Sequence, residues 1–472
     1  MAKQRKAPPT QSSIDLRCGD SLDVLRTLAD NSIDSCVTDP PYGISFMGKK
    51  WDHDVPSVEL WAEVFRVLKP GGYLLVFAGT RTQHRMACAI EDAGFEIRDM
   101  IAWVYGQGFP KSLSVSKAID ATILHGGSGS QQLRARDGRE VGTVGTNMDT
   151  HRSGANDVGK GAAPIATPEA QQWDGWGTAL KPALEPITMA RKPLIGTVAA
   201  NVLAHGTGAI NVDGCRVGTG DKLGGGAEQA DTVCSTNHEG WDRPWKHDDG
   251  ARAAHAERVR GNVAKAETLG RWPANLIHDG SPEVLAAFPT TTSNWRESKG
   301  NGKGAGIFGV SGGNTQGQCD SGSAARFFYT AKSSRAERES GLDGMAQRKR
   351  DETRNDGDPG GDNPRNRGAQ QRANHHPTVK PLALMRYLVK LVTRKGGVCL
   401  DPFMGSGTTG WAARLEGCNF IGIDRDAGYV EIARARIAGH APLFDNAEAG
   451  EAPTVSVKRG KAPPNPEQGS LW

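Results

Sequence analysis

Four adjacent residues, Asp39, Pro40, Pro41 and Tyr42 in the stretch TDPPYGISF, set a carboxylate and a phenol ring on either side of two prolines. Prolines cannot continue the apolar run before them, because each lacks a backbone N–H and has a fixed φ. The chain must stop and turn there, leaving a hydrogen-bond acceptor and a flat aromatic face on a rigid ledge. A second candidate lies near the other end. DPFMGSGTTG, residues 401–410, follows an apolar run ending at Leu400 and leads into helical spacing. Gly405 and Gly407 would let a ligand approach the backbone closely, as in nucleotide-binding βα turns. The loop is not a phosphate-binding GxxxxGK[ST], since Thr408 stands where the lysine is required. Asp424 ends the next apolar run, where an acid is placed to accept hydrogen bonds from ribose hydroxyls. Loop and acid together imply an adenosine-containing cofactor without strong phosphate recognition. An ordinary tight turn beside a surface acid is the competing reading.

Alternating elements must hold these residues. Toward the N-terminus, IDLRCGD, SIDSCVTD, YLLVFAG and FEIRDMIAWVYG read as strands, the last as one or two. Between them, SLDVLRTLAD, SVELWAEVFRVLKPGG and RTQHRMACAIEDAG read as helices, the second closed by glycine. Toward the C-terminus, HHPTVKPLALMRYLVKLVT is a loop leading into a helix. GGVCLDPFMGSGTTGWAARLEG and NFIGIDRDAGYVEIARARI then each give strand, turn and helix. Alternation of this kind argues for a mostly parallel sheet covered on both faces. Two βα units are too few for a stable open sheet, so both chain ends are expected to build one. The expected fold is α/β, a doubly wound, mostly parallel, Rossmann-like sheet. Its halves are 14–110 and 375–444, with an irregular insertion over 111–374 and a disordered tail over 445–472.

Bulk properties narrow the class. A chain of 472 residues allows roughly two to three domains. Only 37% of residues are hydrophobic and 61 are glycine, so part of the chain is expected as loop or disordered segment. The net charge of +4 is too small to name a partner. Eight scattered cysteines without a CxxC pair suggest neither zinc nor a disulfide framework, and a reducing cytosol fits them. MAKQRKAPPT lacks an apolar signal core, and no run reaches the about 18 apolar residues of a membrane span. His375 and His376 lack metal-ligand company, so no metal site is expected.

Taken together, the motifs resemble those of amino-group DNA methyltransferases, which move a methyl group from S-adenosylmethionine to an exocyclic amine. DPPY at 39–42 matches that family's catalytic motif, and DPFMGSGTT at 401–409 its cofactor loop. HPTVKP at 376–381 matches the segment bordering the methionine end of the cofactor, and GD at 19–20 the motif whose acid faces the adenine. Catalytic motif first and cofactor loop last resembles the family's β arrangement, and the likeness covers 14–110 and 374–440. It implies S-adenosylmethionine as cofactor, held by Asp20, Thr378, Lys380, Asp401, Pro402, Phe403, Gly405, Gly407, Thr408 and Asp424. Chemistry would fall to Asp39, Pro40, Pro41 and Tyr42. An amine on a nucleobase is a poor nucleophile because its lone pair is delocalised into the ring. Asp39 would accept one amine hydrogen and the Pro40 carbonyl the other, a pre-organised electrostatic arrangement. Tyr42 would stack on the base once it has left the duplex. Transfer would be an in-line displacement without a metal or a covalent enzyme intermediate.

In the family, Asp at the first motif position favours adenine N6 and Ser favours cytosine N4, so Asp39 implies adenine. Cytosine N4 on the same scaffold is the alternative, and a non-catalytic DNA-binding protein a more distant one. The insertion would read double-stranded DNA. Lys332, Arg335, Arg348, Lys349 and Arg350 would meet phosphates. Tyr105 or Phe109, in WVYGQGFPKS, would line the flipped-base pocket. The bland reading of the same residues is a core strand in ARFFY and a solvated loop in QRKR. No nuclease motif is found, so a cognate restriction endonuclease would be encoded separately. Whether the chain forms a homodimer stays open.

Overall fold

The computed structural model describes residues 12–44, 53–106, 108, 112–125, 165–220, 248–292, 321–332, 334–349 and 371–439. Apolar runs from both chain ends meet in one nine-stranded sheet. Its strands in chain order are β1 (Ile14–Cys18), β2 (Ile33–Thr38), β3 (Leu68–Phe77), β4 (Glu96–Val104), β5 (Leu184–Arg191), β6 (Leu276–His278), β7 (Tyr329–Thr330), β8 (Val398–Asp401) and β9 (Asn419–Asp424). Their spatial order is β1-β9-β8-β2-β3-β5-β4-β6-β7. Every neighbouring pair is parallel except those made by β5, which runs antiparallel to β3 and to β4.

The period of two within each strand sorts side chains onto two cores. Leu74 and Val76 of β3 face helices α1 (Ser21–Arg26), α2 (Val58–Val67) and α3 (Gln83–Asp92), where Leu25, Trp61 and Met86 are fully buried. Tyr73, Leu75 and Phe77 face the other way, onto α4 (Leu382–Val392), α5 (Thr408–Leu415) and α6 (Ala427–Ala438). Short polar side chains start the helices: the Asp20, Ser57 and Asp426 side chains accept from amides of the first turn. The expected doubly wound α/β sheet assembled from both ends is what forms.

Two expectations need correction. The boundary at 110/111 does not separate sheet from insertion. Three strands, β5, β6 and β7, come from 111–374, and β5 sits between β3 and β4. Its sequence LEPITMAR ends in six consecutive buried residues, yet nothing local in it reveals that its partners lie so far back in the chain. The second correction concerns SVELWAEVFRVLKPGG. Helix α2 ends at Val67 and β3 starts at Leu68, so the glycines lie inside a strand and close no helix. Gly71 has φ +76, and a Cβ there would lie 2.5 Å from Asn201 Nδ2. The glycine gives room to that amide, which donates to the carbonyls of Pro70 (2.9 Å) and Thr207 (2.8 Å). The tail 445–472 lies outside the described residues, all of which fall in one compact unit. No helix among them is long and apolar enough to cross a membrane.

Candidate active site

Strands β2 and β8 are neighbours whose connections leave in opposite directions along the sheet, toward β3 and β9. Such a switch opens a crevice at the carboxyl ends of the strands. Asp39 directly follows β2 and Asp401 closes β8, so both motifs arrive at this crevice. One hydrogen bond ties them: the Thr38 hydroxyl donates to Asp401 Oδ1 at 2.6 Å.

On the β2 side, Lys380 is the hub. Its ammonium donates to Asp39 Oδ2 (2.8 Å), to Glu185 Oε2 (3.0 Å) and to the Tyr42 hydroxyl oxygen (3.0 Å). All three of its N–H bonds are thereby engaged. The Tyr42 hydroxyl lies between two carboxylates, 2.7 Å from Asp39 Oδ1 and 3.1 Å from Glu185 Oε2. Burial acts to lower the Lys380 pKa, but the two carboxylates outweigh it and hold the ammonium above its ordinary value. Burial, then the charges of Asp39 and Glu185, raise the Tyr42 phenol well above its usual range, so it stays protonated. Tyr105 follows β4: burial first, and then the charge of Glu185, raise its phenol as well. The ring of Tyr42 lies against the bare backbone of Gly79, where a Cβ would come within 3.3 Å of it. An acceptor and an aromatic ring are thus fixed together at the rim, as the DPPY ledge requires.

On the β8 side, the loop is braced from within. Asp401 is 2% exposed. Its Oδ1 accepts from Thr38 and from the Phe403 amide (3.0 Å), and its Oδ2 from the Thr409 hydroxyl (2.5 Å). Burial pushes this carboxyl up to about 7, against those hydrogen bonds. Arg436 of α6, fully buried, reaches beneath the loop and donates to the Ser406 carbonyl (2.6 Å), the Ser406 hydroxyl (3.0 Å) and the Thr408 hydroxyl (3.1 Å). The positive φ of Gly407, +78, needs glycine, and its missing Cβ makes room for Ala433 of α6, which would lie at 2.6 Å. Gly405, at φ +50, faces His376 instead, whose Nε2 would be 2.6 Å from a Cβ. The HPTVKP segment therefore packs directly over the glycine loop. His376 keeps its place through Nδ1, 2.8 Å from the Thr378 carbonyl, and by edge contact with Tyr429. Burial pushes its imidazole down to about 4, so it is neutral near pH 7.

Residues that could hold a nucleoside-type cofactor lie where β1, β8 and β9 end. The Gly19 amide donates to the Asp424 carbonyl at 3.0 Å, and the Ser21 hydroxyl to the Pro402 carbonyl at 2.6 Å. These bonds bring the Asp20, Pro402 and Asp424 turns together. Asp424 accepts from the amides of Gly405 (2.9 Å) and Asp426 (2.8 Å), and Asp20 from that of Leu22 (3.0 Å). A carboxylate has about four lone-pair sites, so both acids retain capacity for hydroxyl donors. Two such acids beside a glycine loop suit a sugar and not a phosphate.

The sequence expectations sort accordingly. Asp39 and Tyr42 come together, as do Asp20, Gly405 and Asp424. Lys380, expected at the cofactor, has its ammonium on Asp39, Glu185 and Tyr42; the Asp401 carboxylate and Gly407 meet groups of the protein itself. Pro40 is buried, Pro41 half-buried, and Phe403 packs beneath the sheet on the α1 side. Lys332 and Arg348 are exposed, the latter in a short ribbon pairing Arg348–Lys349 with Gln371–Arg372. Arg335 opens a helix, Arg335–Glu339. Phe109 and Arg350 lie outside the described residues. Glu185 and Arg436 escaped the sequence reading. An acid heading a run of buried residues was a usable signal for Glu185, since buried charges need partners. Arg436 had none, being one of two arginines in ARARIAG.

Comparisons with known proteins agree with the motifs. A family model described as DNA methylase matches residues 33–125 and 317–435. Those two segments contain the Asp39–Tyr42 ledge and the glycine loop, and the resemblance read from the motifs holds. The type II methyltransferase M2.DpnII of Streptococcus pneumoniae is 48% identical over 65 residues, covering 14% of this chain and 24% of that protein. The type II methyltransferase M2.MboI of Moraxella bovis is 41% identical over 71 residues, 15% of this chain and 26% of that one. The chain thus spans about a quarter of the length of the curated relatives it matches. Among solved structures, that of the M1.HpyAVI–SAM complex covers 90% of this chain and 98% of its own at 15% identity, with a TM-score of 0.35, too low to carry an argument.

Proposed function

We propose that this chain, whose two ends match the DNA methylase family model, is an S-adenosylmethionine-dependent DNA methyltransferase acting on the N6 amine of adenine. The observation that carries the reading is the meeting of the Asp39–Tyr42 ledge and the Gly405 loop at one switch point, tied by the Thr38–Asp401 hydrogen bond. Asp20, Asp424 and the loop backbone would hold the cofactor, which supplies an electrophilic methyl group on a sulfonium. Asp39 and the Pro40 carbonyl would accept the two amine hydrogens, so that the nitrogen lone pair localises toward the crevice. Asp39 Oδ2 accepts from Lys380 and Oδ1 lies 2.7 Å from the Tyr42 oxygen, and both retain lone pairs for this. Tyr42, anchored by its hydroxyl, would present a ring face to a base that has left the duplex. Asp39 at the head of the motif favours adenine over cytosine.

Double-stranded DNA is the substrate in this reading, with Lys332, Arg335, Arg348, Lys349 and Arg350 toward phosphates and Tyr105 and Phe109 toward the base pocket. A homodimer and a separately encoded restriction endonuclease are the partners it admits. Six free cysteines among the described residues suit a reducing cytoplasm. The test is transfer of labelled methyl to unmethylated genomic DNA, followed by mass spectrometry of its nucleosides. N6-methyladenine from the wild type, lost in Asp39→Ala, is the expected result. Undiminished transfer by Asp39→Ala defeats the assignment of the acid, and N4-methylcytosine as product defeats that of the base.

A further inference from the structure

The Asp39 cluster contains one more carboxylate than acceptance of the amine hydrogens requires. Glu185 comes from β5, which among the described residues is the only antiparallel strand of the sheet, 143 residues from Tyr42. It shares Lys380 with Asp39 and shares the Tyr42 hydroxyl with it too. Two carboxylates and one ammonium leave the cluster one negative charge in excess, which is room for one proton. Glu185 reaches solvent: its side chain is 20% exposed, beside 18% for Asp39 and 9% for Lys380.

Resting on the methyltransferase reading above, we propose that Glu185 is the final acceptor of the proton that the methylated amine must lose, receiving it from Asp39 through the Tyr42 hydroxyl. Once the amine nitrogen has bonded the incoming methyl with its lone pair, it is cationic and carries one hydrogen too many. One N–H bond breaks, its electron pair returns to nitrogen, and the proton goes to the Asp39 carboxylate. The Tyr42 oxygen, 2.7 Å from Asp39 Oδ1, takes that proton as its own O–H bond breaks toward Glu185 Oε2, 3.1 Å away. Tyr42 ends as it began, Asp39 is again a carboxylate, and Glu185 is a neutral acid that releases the proton to solvent. Lys380 remains an ammonium throughout, so it can hold all three oxygens in place during the transfer. Tyr105, whose phenol is raised by burial and by the charge of Glu185, also stays protonated.

The test compares a positioning role with a proton-accepting one. Single-turnover methyl transfer to unmethylated genomic DNA is measured for the wild type and for Glu185→Ala, alone, with formate and with nitrate. Loss of a positioned proton acceptor is expected to slow transfer about 100-fold. Formate should restore most of the rate. Nitrate, a planar anion of like size and negligible basicity, should not, and S-adenosylmethionine affinity should be unchanged. Equal rescue by the two anions, or an unslowed Glu185→Ala, overturns the proposal. Should the alanine variant fail to fold, Glu185→Gln keeps shape and hydrogen bonding, and wild-type turnover by it overturns the proposal equally. Tyr42→Phe retains the ring and is expected to slow transfer comparably. A wild-type chain that transfers no methyl group sinks the underlying reading and this one with it. An active wild type indifferent to Glu185 sinks only this one.

Discussion

The two sides of the crevice are each held by a buried cation, but for different ends. At the DPPY ledge, Lys380 binds charged and ionisable groups, the carboxylates of Asp39 and Glu185 and the hydroxyl of Tyr42, to which the proposals above assign the chemistry. At the glycine loop, Arg436 binds neutral oxygens from behind, and conformation is otherwise fixed by two missing Cβ atoms. One side is organised by electrostatics and the other by shape. Removing charge should therefore damage turnover on the first side, whereas adding volume should damage binding on the second.

The largest effect is expected from Lys380→Met. Leaving two partly buried carboxylates without their cation should cost about 3 kcal/mol of stability and reduce turnover by orders of magnitude. Cofactor affinity should be largely retained, and a calorimetric titration showing it lost would return Lys380 to the cofactor side. Gly407→Ala comes next and inverts the pattern. It forces a side chain into left-handed backbone against Ala433 and should cost about 2–4 kcal/mol. Cofactor binding should fall below detection even in the fraction that remains folded. Arg436→Met should be milder, weakening cofactor affinity about tenfold through a looser loop, with turnover at saturation near wild type. Equal losses in affinity and turnover would show that the two sides are not separable.

The smallest effect concerns pH. His376 is held neutral, with its folded pKa near 4 against an ordinary 6.5. The neutral form is favoured by folding, so this contribution is complete above pH 6.5 and is lost as the pH falls toward 4. The melting midpoint of His376→Gln should accordingly decline less steeply than that of the wild type over that interval, by a few degrees. Identical slopes would place His376 away from the loop it covers.

Much of the site was legible because its signals are local. DPPY must turn wherever it occurs, a glycine loop between strand and helix allows close approach, and an acid at a strand end sits at the carboxyl edge. These follow from a few consecutive residues. The contacts that stayed hidden were those in which a residue's partner is remote. Lys380 was grouped with its sequence neighbours in HPTVKP, but its side chain crosses to Asp39. The glycines after α2 resembled a helix stop, yet they make room for Asn201.

By itself the sequence determined that a parallel α/β sheet with a switch point would form, and which turns would line its crevice. Alternating apolar periods, proline and glycine enforce those outcomes over short range. Only the tertiary structure decided which charges meet there. An antiparallel strand from the middle of the chain delivers Glu185, and a C-terminal helix delivers Arg436. Buried charges are stable only beside partners, and strand pairing and helix packing choose those partners without regard to distance along the chain.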